Sequence, residues 1–155
     1  MIKIGTIVEN ISIPATAETS FSINDFRGKY LLLYFYPKDN TPGCTREGLD
    51  FTQLYPEFQA LNCEIFGISR DSIRVHENFR AKHQFPFHLL ADTEEIICNA
   101  FGVIQEKKLY GRTYLGIVRS TFLLDPEGKL LAVWEKVRVK NHAQIVLDKL
   151  VELQN

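Results

Sequence analysis

The sequence has little cysteine: Cys44, Cys63 and Cys98 are the only three in 155 residues, and no two stand close together. A sparse, odd-numbered, widely spaced set excludes a secreted disulfide framework and points to a reducing compartment. It also lacks the close ligand pairs of a zinc site. His76, His83, His88 and His142 form no recognisable set either, so no metal or cofactor is expected, and the histidines read as surface or capping residues. No glycine-rich phosphate loop is present; Gly5, Gly28 and Gly67 read as turn or packing residues. The longest apolar run, residues 30–36, is far too short to cross a bilayer. Net charge is only -1, which removes any general attraction to nucleic acid or an anionic membrane. The basic stretch Lys136-Val137-Arg138-Val139-Lys140 reads as a solvated strand end and is too short to argue for nucleic acid. Met1-Ile2-Lys3-Ile4-Gly5 lacks a basic segment followed by a long apolar stretch, so no secretory signal is expected. Repeats, low-complexity tracts and Gly/Ser linkers are missing as well. With 45% hydrophobic residues the chain can bury one core, and residues 1–155 are expected to form one soluble, cytoplasmic domain.

Within that domain the periodicities alternate. Short β pieces are expected around Ile11-Ser12-Ile13 and Thr19–Ile23. The continuous apolar run Tyr30-Leu31-Leu32-Leu33-Tyr34-Phe35-Tyr36 reads as a strand buried on both faces. In the following helix Phe51, Leu54, Tyr55 and Phe58 recur at helical spacing. Cys63–Ile68 is a second buried strand, Ser72 caps a helix to about His83, and Phe87–Leu90 forms a short strand. Asp92-Thr93-Glu94-Glu95 resembles a capping box that opens a short helix through Ala100. Val118–Leu124 and Lys129–Trp134 form a hairpin about Asp125-Pro126-Glu127-Gly128. Asn141 starts a last helix with Ile145, Val146, Leu150 and Leu153 as its apolar stripe. Alternating strands and helices followed by a hairpin and a closing helix predict an α/β three-layer sandwich with a mixed central sheet.

The chemistry concentrates at Cys44. Thr41 and Pro42 read as a helix cap and first helical residue, which puts Cys44 in the first turn of that helix. Unpaired N–H groups and the positive end of the helix dipole favour thiolate there. Core cysteines usually lie within apolar segments, whereas Cys44 follows a Pro/Gly-containing turn. A nucleophilic sulfur is the reading.

Pro37, Thr41 and Cys44 fit the P-x-x-x-T-x-x-C signature of peroxiredoxins. The string Tyr34-Phe35-Tyr36-Pro37-Lys38-Asp39-Asn40-Thr41-Pro42-Gly43-Cys44-Thr45 resembles the bacterioferritin-comigratory-protein (PrxQ) group of that family. The resemblance continues through Gly67–Ser72, Leu89–Asp92, Tyr110–Tyr114 and Arg119–Asp125. It implies a thioredoxin fold with an N-terminal β extension, and a thiol-dependent peroxidase acting on hydrogen peroxide and organic hydroperoxides. It also implies a monomer reduced by thioredoxin or by glutathione with glutaredoxin. Cys44 becomes the attacking sulfur and Arg119 the cation beside it; on sequence alone Arg119 reads equally as an exposed strand residue. Thr41 has two roles on offer, as a helix cap or as a hydrogen-bond partner of the thiolate and peroxide. Pro37 either shields the sulfur and sets the turn or merely stops a strand. Glu47, one turn after Cys44, either orients Arg119 or is a solvated helix glutamate. Lys38 and Asp39 match the group but read as loop charges.

One departure from the group matters. Many members carry a resolving cysteine five residues after the attacking one, where this chain has Leu49; a second placement, near residue 80, holds Phe79, Arg80 and Ala81. Cys63 and Cys98 both read as core residues, so a one-cysteine cycle with an external thiol is expected, with Cys98 as the alternative resolving residue. The rival functions are a thioredoxin-type oxidoreductase, for which a C-x-x-C pair is missing, and a non-catalytic redox sensor or binding module on the same fold.

Overall fold

A computed structural model describes residues 1–155. Its organising element is β3 (Tyr30–Phe35), whose alternation sends Leu31, Leu33 and Phe35 to one face of a sheet and Leu32 and Tyr34 to the other. Both faces are covered, which is why the run is apolar throughout. The other strands are β1 (Ser12–Ala15), β2 (Thr19–Ser22), β4 (Cys63–Ser69), β5 (His88–Ala91), β8 (Ser120–Leu124) and β9 (Leu130–Trp134). They form a seven-stranded sheet in the order β2-β1-β5-β4-β3-β8-β9. The sheet is mixed, since β3, β4 and β5 run parallel while β8 pairs antiparallel to β3.

The two faces carry two cores. On one, Phe51 and Phe58 of α1 (Pro42–Ala60), Phe79 of α2 (Ile73–His83) and Val146, Leu147 and Leu150 of α4 (His142–Gln154) pack with Leu32, Tyr34 and Ile65. On the other, Ile97, Cys98 and Phe101 of α3 (Ile96–Phe101) pack with Leu33, Phe35, Ile68 and Phe122. The expected three-layer sandwich is the one observed. Gly67 has a steric reason: a Cβ there would lie 2.7 Å from the Tyr34 ring, so only glycine lets that ring lie flat on β4.

Several local expectations change. A hairpin of β6 (Ile104–Leu109) and β7 (Arg112–Ile117) forms a separate two-stranded sheet that the periodicity did not announce. Its turn, Tyr110-Gly111, has φ of 51° and 78°, the two positive values of a type I′ turn, and Tyr110 is 97% exposed. The capping box at 92–95 does not form. Glu95 takes a left-handed conformation ahead of α3, and the Asp92 carboxylate alone accepts from Ile96 and Cys98 N–H. In α4, Ile145 is exposed, and Leu147 with Ala143 completes the buried stripe instead. Residues 136–140 are a loop, not a strand end, because β9 stops at Trp134. His76 and His142 are buried, not surface residues.

His142 yields a pH prediction. Its Nε2 pairs with the Thr121 hydroxyl at 2.8 Å, and burial, helped by the charge of Arg119, lowers its pKa from 6.5 to about 4. The unfolded chain therefore takes up a proton as pH falls through 6.5 while the folded chain does not until about 4, so this histidine withdraws stability as pH drops. Urea unfolding at pH 7 and pH 4.5 should show the cost of His142→Gln shrinking by about 1–2 kcal/mol at the lower pH. An equal cost at both pH values would contradict a neutral, buried His142.

Candidate active site

The chain leaves β3 at Phe35, turns through Pro37–Thr41 with Asn40 at φ 64°, and enters α1 at Pro42. Thr41 sits at the cap position in extended conformation, and Pro42 fixes the first helical φ without needing its missing N–H. Cys44 therefore falls in the first turn of a 19-residue helix, beside N–H groups that have no intrahelical acceptor. Its side chain nevertheless belongs to the core on that face, and the residue is only 2% exposed. A sulfur this dry can hold charge only if a cation reaches it.

Arg119 is that cation. It lies in the short link between β7 and β8, outside both strands, with its carbonyl held by the Val137 N–H at 3.0 Å. Its guanidinium forks: Nη1 donates to Glu47 Oε1 at 2.7 Å and Nη2 to Cys44 Sγ at 3.4 Å. Gly43 admits it, since a Cβ at Gly43 would lie 3.2 Å from Nη2, closer than a side chain tolerates without displacing the fork. The solvated-glutamate and exposed-strand-arginine readings are both excluded by this geometry.

Glu47 is 1% exposed, and its second oxygen, Oε2, has no partner. Burial raises its pKa to about 7, although the charge and hydrogen bond of Arg119 pull the other way. On Arg119 the balance is reversed: burial opposes its charge, but Glu47 and the Cys44 sulfur more than offset it and raise its pKa. The pair thus keeps the arginine charged at a desolvation cost borne by the carboxyl.

Thr41 is at the cap position but makes no capping bond. Its hydroxyl donates to the Lys38 carbonyl at 2.7 Å, which aims the hydrogen back into the loop and leaves the oxygen lone pairs free to accept. Pro37 is half-buried at the start of the loop. The structure thus joins Cys44, Glu47 and Arg119 directly, with Thr41 and Pro37 in the adjoining loop and without a polar contact to the sulfur. An open cleft of about 460 Å³ borders this turn, lined by Pro42, Gly43, Arg46, Val139 and Lys140.

The other thiols are placed differently. Cys63 pairs with Tyr30 in the β3–β4 register, at the opposite end of β3 from the Cys44 loop, about 17 Å away along the strand. Cys98 lies in the core on the far face of the sheet from Cys44. Burial raises the pKa of both, with Glu64 adding to the shift for Cys63 and Asp92 for Cys98.

Two residues near the loop escaped the sequence reading. Asp39, taken there as a loop charge, is 3% exposed and bonded to Tyr36 and His76. The signal for His76 was its three-residue spacing from the buried Phe79, which puts both on the inner face of α2.

The chain is similar to known proteins over most of its length. Residues 4–133 fit the AhpC/TSA family model. The chain is 49% identical to peroxiredoxin Bcp of Xanthomonas campestris over 141 residues, covering 91% of this chain and 88% of that one. It is 43% identical to peroxiredoxin Bcp of Bacillus subtilis over 152 residues, covering 98% and 97%. Among solved structures, the Xanthomonas campestris bacterioferritin comigratory protein, studied for its alkyl peroxide reduction activity, superposes with TM-score 0.90 at 47% identity over 94% of this chain and 92% of that one. A PrxQ mutant from Xylella fastidiosa superposes with TM-score 0.96 at 40% identity over 100% and 99%. The family match over residues 4–133, the identity to these relatives and the thioredoxin fold shared with them make this chain a member of the AhpC/TSA family and a thiol-dependent peroxidase of the bacterioferritin-comigratory-protein (PrxQ) group of peroxiredoxins.

Proposed function

We propose that Cys44 is the peroxide-reactive sulfur of a one-cysteine cycle, prepared by Arg119, Glu47, Thr41 and Pro37 and reset by an external thiol. The observation that carries the reading is the Arg119 fork, 2.7 Å from Glu47 and 3.4 Å from the Cys44 sulfur. The Cys44 thiolate attacks one oxygen of the hydroperoxide, the O–O bond breaks, and the sulfur is oxidised to sulfenic acid. The other oxygen leaves with the electron pair and takes a proton to become water or an alcohol. Arg119 supports charge first on the sulfur and then on the departing oxygen, a task for which its fixed plane of donors suits it. Glu47 holds that plane in place. Thr41 accepts a hydrogen bond from the incoming O–H, and Pro37, lacking an N–H, closes the loop over the sulfur. Hydrogen peroxide and organic hydroperoxides are the substrates of this reading; alkyl peroxide reduction by the Xanthomonas campestris relative supports the organic class.

For the reset, a thiol attacks the sulfenic sulfur, releasing water and leaving a mixed disulfide on Cys44; a second thiol then frees it. Thioredoxin, or glutathione with glutaredoxin, serves as donor. Three features support a cycle without an internal partner. Leu49 is 41% exposed where many relatives have a resolving cysteine, Cys63 sits at the opposite end of β3, and the sheet separates Cys98 from Cys44. Bridging Cys44 and Cys98 would require their α-carbons to come within about 7 Å across that layer. The open cleft beside Pro42 and Gly43 offers an approach for a bulkier thiol. The whole chain acts as one monomeric, cytoplasmic domain.

Three outcomes are expected. Cys44→Ser should lose peroxide turnover with the fold intact, because an alcohol stays un-ionised at neutral pH; residual turnover comparable to wild type would remove Cys44 from the role. In rapid mixing with hydrogen peroxide, Arg119→Met should be oxidised on the order of 100-fold more slowly, and an unchanged rate would place Arg119 outside the chemistry. After one equivalent of peroxide, intact mass should show the gain of one oxygen on Cys44. A species lighter by two hydrogens that maps to Cys44–Cys98 and vanishes in Cys98→Ser would replace the one-cysteine cycle with a two-cysteine one.

A further inference from the structure

We propose that Asp39 and His76 form a buried clasp that positions the Thr41 hydroxyl for reaction with peroxide. The inference rests on the reading of Cys44 as the peroxide-reactive sulfur, and it assigns two positioning residues to that site.

Asp39 is the middle residue of the loop between Pro37 and Thr41, and its side chain is completely buried. Three elements converge on it. From the end of β3, the Tyr36 hydroxyl donates to Oδ1 at 2.6 Å. From α2, His76 Nδ1 faces Oδ2 at 2.6 Å. From just past β4, Asp71 Oδ2 accepts the Asp39 main-chain N–H at 2.9 Å, and Asp71 is itself held by the Ser69 hydroxyl at 2.6 Å. The His76 ring is anchored in turn through Nε2 to the carbonyl of Leu90 in β5, at 2.9 Å.

The donor and acceptor identities fix how this cluster works. A carbonyl only accepts, so Nε2 carries a hydrogen; the 2.6 Å contact between Nδ1 and Oδ2 needs another between them. One hydrogen therefore bridges Asp39 and His76 in the dry interior. Asp39, Asp71 and His76 bring ligand-type atoms within 4.8 Å of one another, but both His76 nitrogens are already committed to protein acceptors, so the group is a hydrogen-bonded network and not a metal site.

The link to the chemistry is covalent and short. Lys38, the residue before Asp39, offers the carbonyl that receives the Thr41 hydroxyl at 2.7 Å. Asn40, the residue after, takes φ 64°, the left-handed turn conformation that asparagine adopts more readily than most residues. Fixing Asp39 thus fixes the Lys38 carbonyl, and with it the direction of the Thr41 oxygen. No bond connects the clasp to Arg119 or to Cys44, so the sulfur should keep its environment when the clasp is removed. That separation makes the proposal testable.

Two native rates are compared at one pH: oxidation of Cys44 by hydrogen peroxide and its alkylation by iodoacetamide, which has no use for a hydroxyl aimed at an O–H. Misplacing a positioning group by about 1 Å costs on the order of 100-fold in a reaction that depends on it. Asp39→Ala and His76→Ala should therefore slow oxidation on the order of 10- to 100-fold. Alkylation should stay at the wild-type rate, since the sulfur keeps its environment. Asp39→Asn should restore oxidation, because the amide can accept from Tyr36 and donate to Nδ1 of a neutral His76. Tyr36→Phe keeps the ring in the core and removes one bond to Asp39, so it reports even if the alanine variants do not fold; its oxidation should fall severalfold, alkylation unchanged. Wild-type oxidation rates in Tyr36→Phe and in the folded clasp variants would overturn the proposal. So would parallel loss of both rates in Asp39→Ala and Asp39→Asn, the mark of a merely structural role. If wild type itself fails to react with peroxide, the reading of Cys44 falls and the clasp with it, an outcome that the variants cannot mimic.

Discussion

The site depends on one cation shared by two buried acceptors. Cys44 sits in the first turn of a helix, beside N–H groups with no intrahelical acceptor, yet it is packed into the core, where a lone charge would be costly. Arg119 resolves the conflict by crossing from the β7–β8 link to the start of α1, and Glu47 keeps its guanidinium from turning away. The supports are specific. Gly43 leaves room for the guanidinium, the Val137 N–H fixes the Arg119 backbone, and the antiparallel β3–β8 pairing brings Ser120 opposite Phe35, just before the reactive loop. On the proposed reading, burial would contribute to function as well as to stability: with water kept from the fork, each hydrogen bond to a developing charge is stronger than it would be in solvent.

The same sheet that aligns the site also separates the thiols. With α1 on one face and α3 on the other, Cys44 and Cys98 fall in separate cores, and the parallel β3–β4 register sends Cys63 to the far end. Raised pKa values for Cys63 and Cys98, caused first by burial, leave them as un-ionised packing residues. On the proposed one-cysteine reading, sulfenic sulfur on Cys44 has no thiolate neighbour in the folded protein, and a reductant would come from solvent.

Much of this was legible in the sequence. The doubly buried β3, the Thr41-Pro42 helix start, the Ser72 cap and the Asp125–Gly128 turn follow from periodicity and local backbone chemistry, and the structure has all four. What local patterns could not give were contacts made across long separations. Arg119 is 75 residues from Cys44, and nothing beside it distinguishes it from a surface arginine. Asp39 and His76 look polar and therefore exposed until the fold brings them together over 37 residues. The β6–β7 hairpin was missed for a different reason: Gln105, Glu106, Lys107 and Lys108 put charge where a strand pattern wants alternation, and only Tyr110-Gly111 marked the turn. His142 was misplaced because a residue at a helix start reads as solvated, whereas α4 begins against Phe51 and Trp134.

Glu47 is proposed to act on the sulfur only through Arg119, and a double-mutant cycle tests this. Rates of Cys44 oxidation by hydrogen peroxide would be measured for wild type, Glu47→Gln, Arg119→Met and the double variant. Glu47→Gln is expected to slow oxidation when Arg119 is present and to have no further effect once it is gone, a coupling of about 1–3 kcal/mol. Independent, additive losses would contradict it and give Glu47 a role at the sulfur of its own.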